Sequence, residues 1–331
     1  MQLKELIKKG VETISTLYPE AEAKEMVYAF LEHHIGTKRH THIVEPGYEV
    51  SEEDASAAAG AFERMAKGEP MQYVIGKADF YGRQFRVTSD VLIPRPETEL
   101  LCRLALDCYY ERRPSAIVEE SSGRERAKMP FPHSWHTSEV SLSVNNDHYH
   151  ILDLCTGSGC IAWTMALEKP GACVTAVDIS DDALAVASTQ DFAEEIKQTG
   201  ALSPVFVKAD VLSDDLPDII SNASEDGDEQ FDLLLSNPPY VMDKEKALMR
   251  SNVLDHEPHL ALFVPDDDSL KFYRAIARHS VRLLSADGIG IVEINEALGP
   301  ETAALFTDAG FTDVRIENDL NDRPRFVIFR R

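Results

Sequence analysis

From residue 150 to the C-terminus, short apolar runs alternate with segments of helical spacing, and this alternation constrains the fold more than any other feature. The apolar runs at 150–154, 174–178, 205–209 and 231–236 predict strands. Helical spacing predicts helices over 160–168, 181–198, 269–284 and about 301–309. A further strand is expected at 290–294, with two closing strands near 313–316 and 325–329. Repeated strand–helix alternation predicts an α/β chain with a parallel, doubly wound sheet.

The first strand of this region runs into Asp153-Leu154-Cys155-Thr156-Gly157-Ser158-Gly159-Cys160-Ile161-Ala162 and then into its first helix. Gly157 and Gly159 permit a tight turn and close backbone approach to a ligand. The next strand ends at Asp178, 19 residues after Gly159. A carboxylate there can accept from two ribose hydroxyls. Asp210, after the third strand, is placed to take the exocyclic amine of an adenine. Two ligands suit this layout. The G-x-G-x-x-A spacing matches a dinucleotide fingerprint. S-adenosylmethionine also fits, with Asp153 attracting its ammonium or sulfonium side.

The fourth strand, 231–236, ends in Asn237-Pro238-Pro239-Tyr240. Prolines at a strand end stop the ladder, and a rigid turn needs no more than that. The position says more, because doubly wound sheets bind ligands at the carboxyl ends of their strands. Asn237 offers a side-chain carbonyl, and Pro238 a backbone carbonyl with no competing N–H. Two fixed acceptors can grip both hydrogens of a planar NH₂ group, and Tyr240 can stack on the plane that carries it. Gripping both protons directs the nitrogen lone pair toward an electrophile, so positioning in line with a methyl sulfonium supplies much of the rate.

Ahead of this region the chain reads differently. Leu3, Leu6, Ile7, Val11, Ile14 and Leu17 mark one helix face, and residues 20–35 and 51–67 continue the pattern. Ser51 with Asp54 forms an acidic variant of a capping box. A small helical bundle is expected over 1–75. Residues 78–93 carry a hairpin signal, with Phe80-Tyr81-Gly82 and alternating Phe85 and Val87. Ile93-Pro94-Arg95-Pro96-Glu97-Thr98-Glu99 follows, extended by its prolines, with a helix from about 97 to 110.

Residues 112–148 read as an inserted loop, exposed and partly disordered. Its histidines, His133, His136 and His148, with His150 beyond, lack a cysteine or carboxylate framework of metal-site spacing, so no metal is expected. Residues 213–230 hold seven acidic and no basic residues and read as a solvated connection. With 33 Lys and Arg against 57 Asp and Glu, the chain of 331 residues carries a net charge of −24 and repels phosphate backbones. No apolar run approaches the roughly 18 residues of a membrane span. The N-terminus has no signal-peptide core, and five cysteines suit free thiols in a reducing compartment. A cytoplasmic monomer is expected, with neither nucleic acid nor membrane as a partner.

The pairing of Asn-Pro-Pro-Tyr with Asp-Leu-Cys-Thr-Gly-Ser-Gly-Cys-Ile-Ala resembles S-adenosylmethionine-dependent methyltransferases of amide or adenine nitrogens. The chain looks specifically like the HemK-type (PrmC) release factor glutamine methyltransferases. Gly68-Glu69-Pro70 with Tyr73 and Gly76, Phe80-Tyr81-Gly82, Leu92 to Glu99, Glu257-Pro258 with Ala261-Leu262, and Gly310-Phe311 extend the match over residues 1–111 and 149–331. The resemblance implies a Rossmann-like class I methyltransferase domain over 97–331. It also implies a helical substrate-docking domain at 1–75 and a hairpin linker at 76–96. Asp153, Thr156, Gly157 and Gly159 would line the S-adenosylmethionine pocket, Asp178 would hold the ribose and Asp210 would lie by the adenine. Asn237 would border both cofactor and substrate. With Pro238 it would bind the glutamine amide, beside Pro239 and Tyr240, with Asn237, Pro238 and Tyr240 as the catalytic set. Arg95 and Pro96 would border the entering glutamine, which the resemblance places in the Gly-Gly-Gln loop of peptide chain release factor.

Departures from the pattern are the 112–148 insertion, Cys155 where glycine is common, and Glu293-Ile294-Asn295-Glu296 in place of an acid-x-glycine run. Cys155 reads as a packing substitution. The competing acceptors are a ribosomal-protein glutamine and adenine N6. The second needs a basic target-recognition region, and residues 111–150 hold five basic against six acidic residues. A noncatalytic binding protein and a dehydrogenase are the other readings. The intact Asn237–Tyr240 run argues against the first, and the lack of a catalytic His or Lys–Tyr arrangement against the second.

Overall fold

A computed structural model describes residues 1–112, 149–223 and 230–331. The expected insertion, from residue 113 on, lies outside the described residues, as does part of the acidic connection. The chain forms two compact units. One comprises Met1–Ala78, Arg86–Ile93 and Lys244–His259, and the other Asp79–Phe85, Pro94–Asp243 and Leu260–Arg331.

In the first unit, helices Leu3–Ile14, Glu20–Ile35 and Glu52–Ala66 bury their apolar faces against one another. Leu3, Leu6, Ile14, Val27, Phe30, Phe62 and Met65 form that core. The Ser51 hydroxyl accepts from the Asp54 N–H at 3.0 Å, which caps the third helix. Asp54 returns no bond to the Ser51 backbone and takes the Ser51 hydroxyl proton instead, at 2.6 Å. The segment 86–93 is tied in by Tyr73, whose hydroxyl donates to the Val91 carbonyl at 2.6 Å. Buried Glu257 accepts from the Ile93 N–H at 3.2 Å.

The strands, in chain order, are β1 (Lys77–Phe80), β2 (Arg83–Arg86), β3 (Tyr149–Leu154), β4 (Ala172–Asp178), β5 (Val205–Lys208), β6 (Phe231–Ser236), β7 (Val241–Met242), β8 (Phe263–Val264), β9 (Leu284–Glu293), β10 (Thr312–Asn318) and β11 (Pro324–Arg330). The β1–β2 turn places Tyr81 and Gly82 at φ +49° and +75°. Positive φ at both centre positions gives the twist a two-residue hairpin needs. The Tyr81 N–H donates to Glu99 at 3.0 Å and holds the unfavoured tyrosine conformation.

Among the described residues, seven strands form the main sheet in the order β10-β11-β9-β6-β3-β4-β5. Strands β3 to β6 and β9 run parallel. The order reverses at β3, with β4 and β5 on one side of it and β6 and β9 on the other. Both faces are covered. Ile151, Leu233, Leu235 and Ile291 pack toward the helices Pro96–Arg112 and Cys160–Glu168. Leu152, Leu154, Leu234 and Val292 pack toward Lys271–Leu283 and Gly299–Asp308.

The doubly wound α/β architecture is the expected one, with four local differences. The acidic connection is not wholly solvated, because Leu216–Ala223 is a helix that buries Leu216, Pro217 and Ile220. The closing pair is antiparallel, β11 to β9 and β10 to β11, so the sheet is mixed. A two-strand return needs no crossover helix. The strand expected at 290–294 begins at Leu284, because β9 continues past the apolar run. The single helix expected over 181–198 is two, Asp181–Ser188 and Ala193–Thr199. Ser188 and Thr189 turn their hydroxyls back onto the Ala185 and Val186 carbonyls. Such local bonds compete with helix continuation. Gln190 then turns inward to donate to the Ser158 carbonyl at 3.0 Å.

Candidate active site

Strands β3 and β6 are neighbours, and Leu154 pairs with Ser236 at their carboxyl ends. The Ser236 hydroxyl also donates to the Leu154 carbonyl at 2.7 Å. The glycine turn and Asn237-Pro238-Pro239-Tyr240 therefore leave the sheet side by side, at the point where strand order reverses. Open α/β sheets bind ligands there.

The glycine turn is built largely from its own backbone. Cys155 sits at φ +63°, Gly157 at +54° and Gly159 at +77°. A left-handed conformation costs an L-residue roughly 1–2 kcal/mol, so backbone conformation, beyond packing, makes glycine the undemanding residue at 155. Burial pushes the Cys155 thiol far above its ordinary value, which opposes reactivity. The two glycines differ in surroundings. A Cβ on Gly157 would meet open space, so this backbone is accessible to a ligand. A Cβ on Gly159 would lie 3.0 Å from Ala187 and 3.1 Å from the Trp163 indole, so this position serves close packing. The Trp163 N–H donates to the Ala187 carbonyl at 2.8 Å.

Asp178 ends β4, and one of its oxygens accepts from the Gly157 N–H at 2.9 Å. The other accepts from the Ser180 N–H at 3.0 Å. Each carboxylate oxygen retains a lone pair for a hydroxyl donor. Burial raises the Asp178 pKa against those N–H bonds. Asp210 caps its own turn, accepting from the Leu212 N–H at 2.8 Å.

Asp153 is fully buried in β3. The Thr156 hydroxyl donates to one of its oxygens at 2.6 Å. The other, Oδ1, has no hydrogen-bond partner among the described residues. Burial pushes Asp153 up to about 7, with the Asp178 charge adding to it, while Thr156 and the Ala162 N–H act the other way. The folded state holds this proton more tightly than the unfolded chain does. Its destabilising contribution is absent below the unfolded value near 4, grows as pH rises, and is complete above about 7. Removing the charge with Asp153→Asn is expected to flatten the fall in melting temperature between pH 5.5 and 8. Each pH unit of the displaced titration is worth roughly 1.4 kcal/mol. Parallel melting curves of variant and wild type across that range would refute it.

The Asn237 loop is held by a relay that the sequence did not reveal. The Asn237 Nδ2 donates to the Thr98 hydroxyl oxygen at 3.0 Å. The Thr98 hydroxyl donates to Glu293 Oε2 at 2.8 Å, and the Tyr240 hydroxyl donates to Glu293 Oε1 at 3.1 Å. The Asn295 amide donates to the Tyr240 carbonyl at 3.2 Å, and the Tyr273 hydroxyl to the Glu293 carbonyl at 3.0 Å. Thr98 and Glu293 are buried, as are Pro238 and Pro239. Pro96 opens the helix that carries Thr98, and the Arg95 carbonyl accepts from the Thr98 N–H at 3.1 Å. Thr98 stood in plain view inside the Pro-Arg-Pro-Glu-Thr-Glu run. For Glu293 the available signal was a carboxylate closing the apolar run 289–292.

A glycine turn after the sheet's first parallel strand, an acid ending the second and Asn-Pro-Pro-Tyr ending the fourth, in this strand order, define a class I S-adenosylmethionine-dependent methyltransferase. Residues 5–76 match the PrmC N-terminal domain, and residues 139–256 match the methyltransferase small domain. The release factor glutamine methyltransferase of Flavobacterium psychrophilum is 33% identical over 332 residues, covering 100% of both chains. That of Bacteroides thetaiotaomicron is 38% identical over 268 residues, 81% of this chain and 78% of its own. The chain belongs to the release factor glutamine methyltransferase family. A solved release factor-specific protein-(glutamine-N5) methyltransferase from Alicyclobacillus acidocaldarius is 24% identical, covers 75% of this chain and 99% of its own, and has a TM-score of 0.37.

The residues present suit S-adenosylmethionine. Gly157 leaves open backbone, Asp178 offers acceptors for hydroxyls, and Asp153 Oδ1 is a buried acceptor without a donor. Among the described residues no helix is long and apolar enough to cross a membrane, and no cluster of His, Cys, Asp and Glu suits a metal ion.

Proposed function

We propose that the chain methylates the side-chain amide nitrogen of the glutamine in the Gly-Gly-Gln loop of peptide chain release factors. The observation that carries this reading is the Asn237 carboxamide, whose nitrogen is committed to Thr98 and whose oxygen is thereby left to accept. Bound S-adenosylmethionine supplies a methyl group on a sulfonium, an electrophile that needs no further activation. The chain's part is to hold the amide. A planar amide nitrogen is a poor nucleophile because its lone pair is delocalised. Asn237 Oδ1 and the Pro238 carbonyl take its two hydrogens, and Tyr240 packs beside the plane. No base is needed before transfer, because the proton can leave afterwards. Asp153, Thr156, Gly157, Gly159, Asp178 and Asp210 form the cofactor side, and Arg95, Pro96 and Pro239 border the glutamine. Residues 1–75 dock the release factor, 76–96 link, and 97–331 carry the chemistry, in a cytoplasmic monomer whose macromolecular partner is protein, not nucleic acid.

Labelled S-adenosylmethionine tests the reading. Wild-type release factor is expected to gain one methyl per chain, and a release factor with Gln→Ala in its Gly-Gly-Gln loop to gain none. Equal labelling of the two proteins would sink it.

A further inference from the structure

We propose that Glu293, which touches no substrate, is a positioning residue that fixes which end of the Asn237 carboxamide faces the acceptor nitrogen. The inference rests on the proposed role of Asn237 as amide acceptor. It follows from the direction of the hydrogen bonds. An ionised carboxylate only accepts. The Thr98 hydroxyl has one proton and gives it to Glu293 Oε2 at 2.8 Å. Its oxygen can then only accept from Asn237, so Nδ2 is drawn to it at 3.0 Å and Oδ1 is turned the other way. Tyr240 is set by the same carboxylate, through its hydroxyl on Oε1. One buried charge thus orients both an acceptor and a ring of the Asn237–Tyr240 loop.

Protonation removes this polarity. A proton on Glu293 Oε2 donates to the Thr98 oxygen, and the Thr98 hydroxyl is then free to donate toward Asn237. The carboxamide that satisfies such a donor is the flipped one, with Oδ1 toward Thr98 and Nδ2 toward the substrate. An NH₂ group facing an NH₂ group pairs donor with donor and cannot aim the amide lone pair at the methyl group, while the rest of the protein substrate still binds. The change falls near neutrality, because burial pushes Glu293 up to about 7. The groups around it come from five other elements. Thr98 and Tyr240, through their hydrogen bonds, and Arg325 of β11 favour the charge. Glu97, beside Thr98 on the helix Pro96–Arg112, opposes it. Cys160 and Tyr273 face Glu293 from their own helices, and their ionisation is driven far up by burial.

The test uses the full chain, release factor and labelled S-adenosylmethionine, with kcat and KM measured from pH 5.5 to 9 and cofactor affinity by calorimetry. Wild-type kcat is expected to rise through an acidic limb centred near 7 and then level. Glu293→Gln, which can present either a donor or an acceptor, is expected to lose that limb and roughly 10–100-fold in kcat. Thr98→Val is expected to lose a similar amount, with KM and cofactor affinity within about threefold of wild type. Thr98→Ser, which keeps the hydroxyl, is expected to retain most of kcat. A Thr98→Val chain at wild-type kcat overturns the inference, as does an unchanged acidic limb in Glu293→Gln. So does a loss carried by KM or cofactor affinity rather than kcat. If Glu293→Gln does not fold, the two Thr98 variants decide alone. Wild type that never labels release factor would instead refute the proposed function.

Discussion

Replacing Asn237 with alanine is expected to cut methyl transfer to release factor by roughly 100–1000-fold, the range seen when one fixed polar group is removed from a preorganised site. The side chain supplies one of the two acceptors proposed for the glutamine amide. Its loss frees one amide hydrogen, and the lone pair is no longer aimed. Cofactor affinity is expected to stay within about threefold, because the glycine turn and Asp178 hold each other through the Gly157 N–H without help from Asn237. The fold should also persist, since Asn237 is only partly buried and Pro238 and Pro239 still stiffen the loop. Initial rates and calorimetry read the two quantities separately. Cofactor affinity falling in step with the rate would contradict this division of labour.

The largest expected loss of stability comes from adding one carbon. Gly290 lies within β9, paired with Phe329 of β11. A Cβ at Gly290 would lie 2.0 Å from the Phe329 ring. The ring covers the glycine as a side chain of its own would. It cannot retreat, because it stacks on Phe306 at 3.9 Å and meets Phe311 at 4.8 Å, and it is fully buried. Overpacking a tight core costs about 3 kcal/mol in such cases. For a domain of this size that lowers the melting temperature by roughly 6–12 °C. Gly290→Ala combined with Phe329→Leu is expected to recover part of the loss, since neighbouring sites couple. A Gly290→Ala protein melting within a degree of wild type would show that the ring has room to move.

What could be read from sequence is local. The parallel strands, the glycine turn and the placement of Asn237 at a strand end follow from residue types and spacings within about ten positions of one another. The partners of Asn237 do not. Thr98 lies 139 residues from it, and Glu293 lies 195 from Thr98. Only the assembled sheet, with the helix Pro96–Arg112 laid across it, brings these three together. The helix break after Ser188 escaped for a related reason. The local hydroxyls favour a stop, but the inward turn of Gln190 depends on Ser158, 32 residues away. Strand direction in the closing pair is likewise decided by connection length and sheet order, since apolar alternation reads the same in both directions.

Trp163 has a use beyond packing. The chain contains two tryptophans, and the other, Trp135, lies outside the described residues. The Trp163 indole is buried, hydrogen-bonded to the Ala187 carbonyl and pressed against the Gly159 corner of the glycine turn. Indole emission shifts with the polarity around the ring and with the fate of its N–H. In a Trp135→Phe background, emission excited beyond the absorption of the ten tyrosines would come from one native indole beside the glycine turn, an intrinsic optical gauge that needs no attached dye.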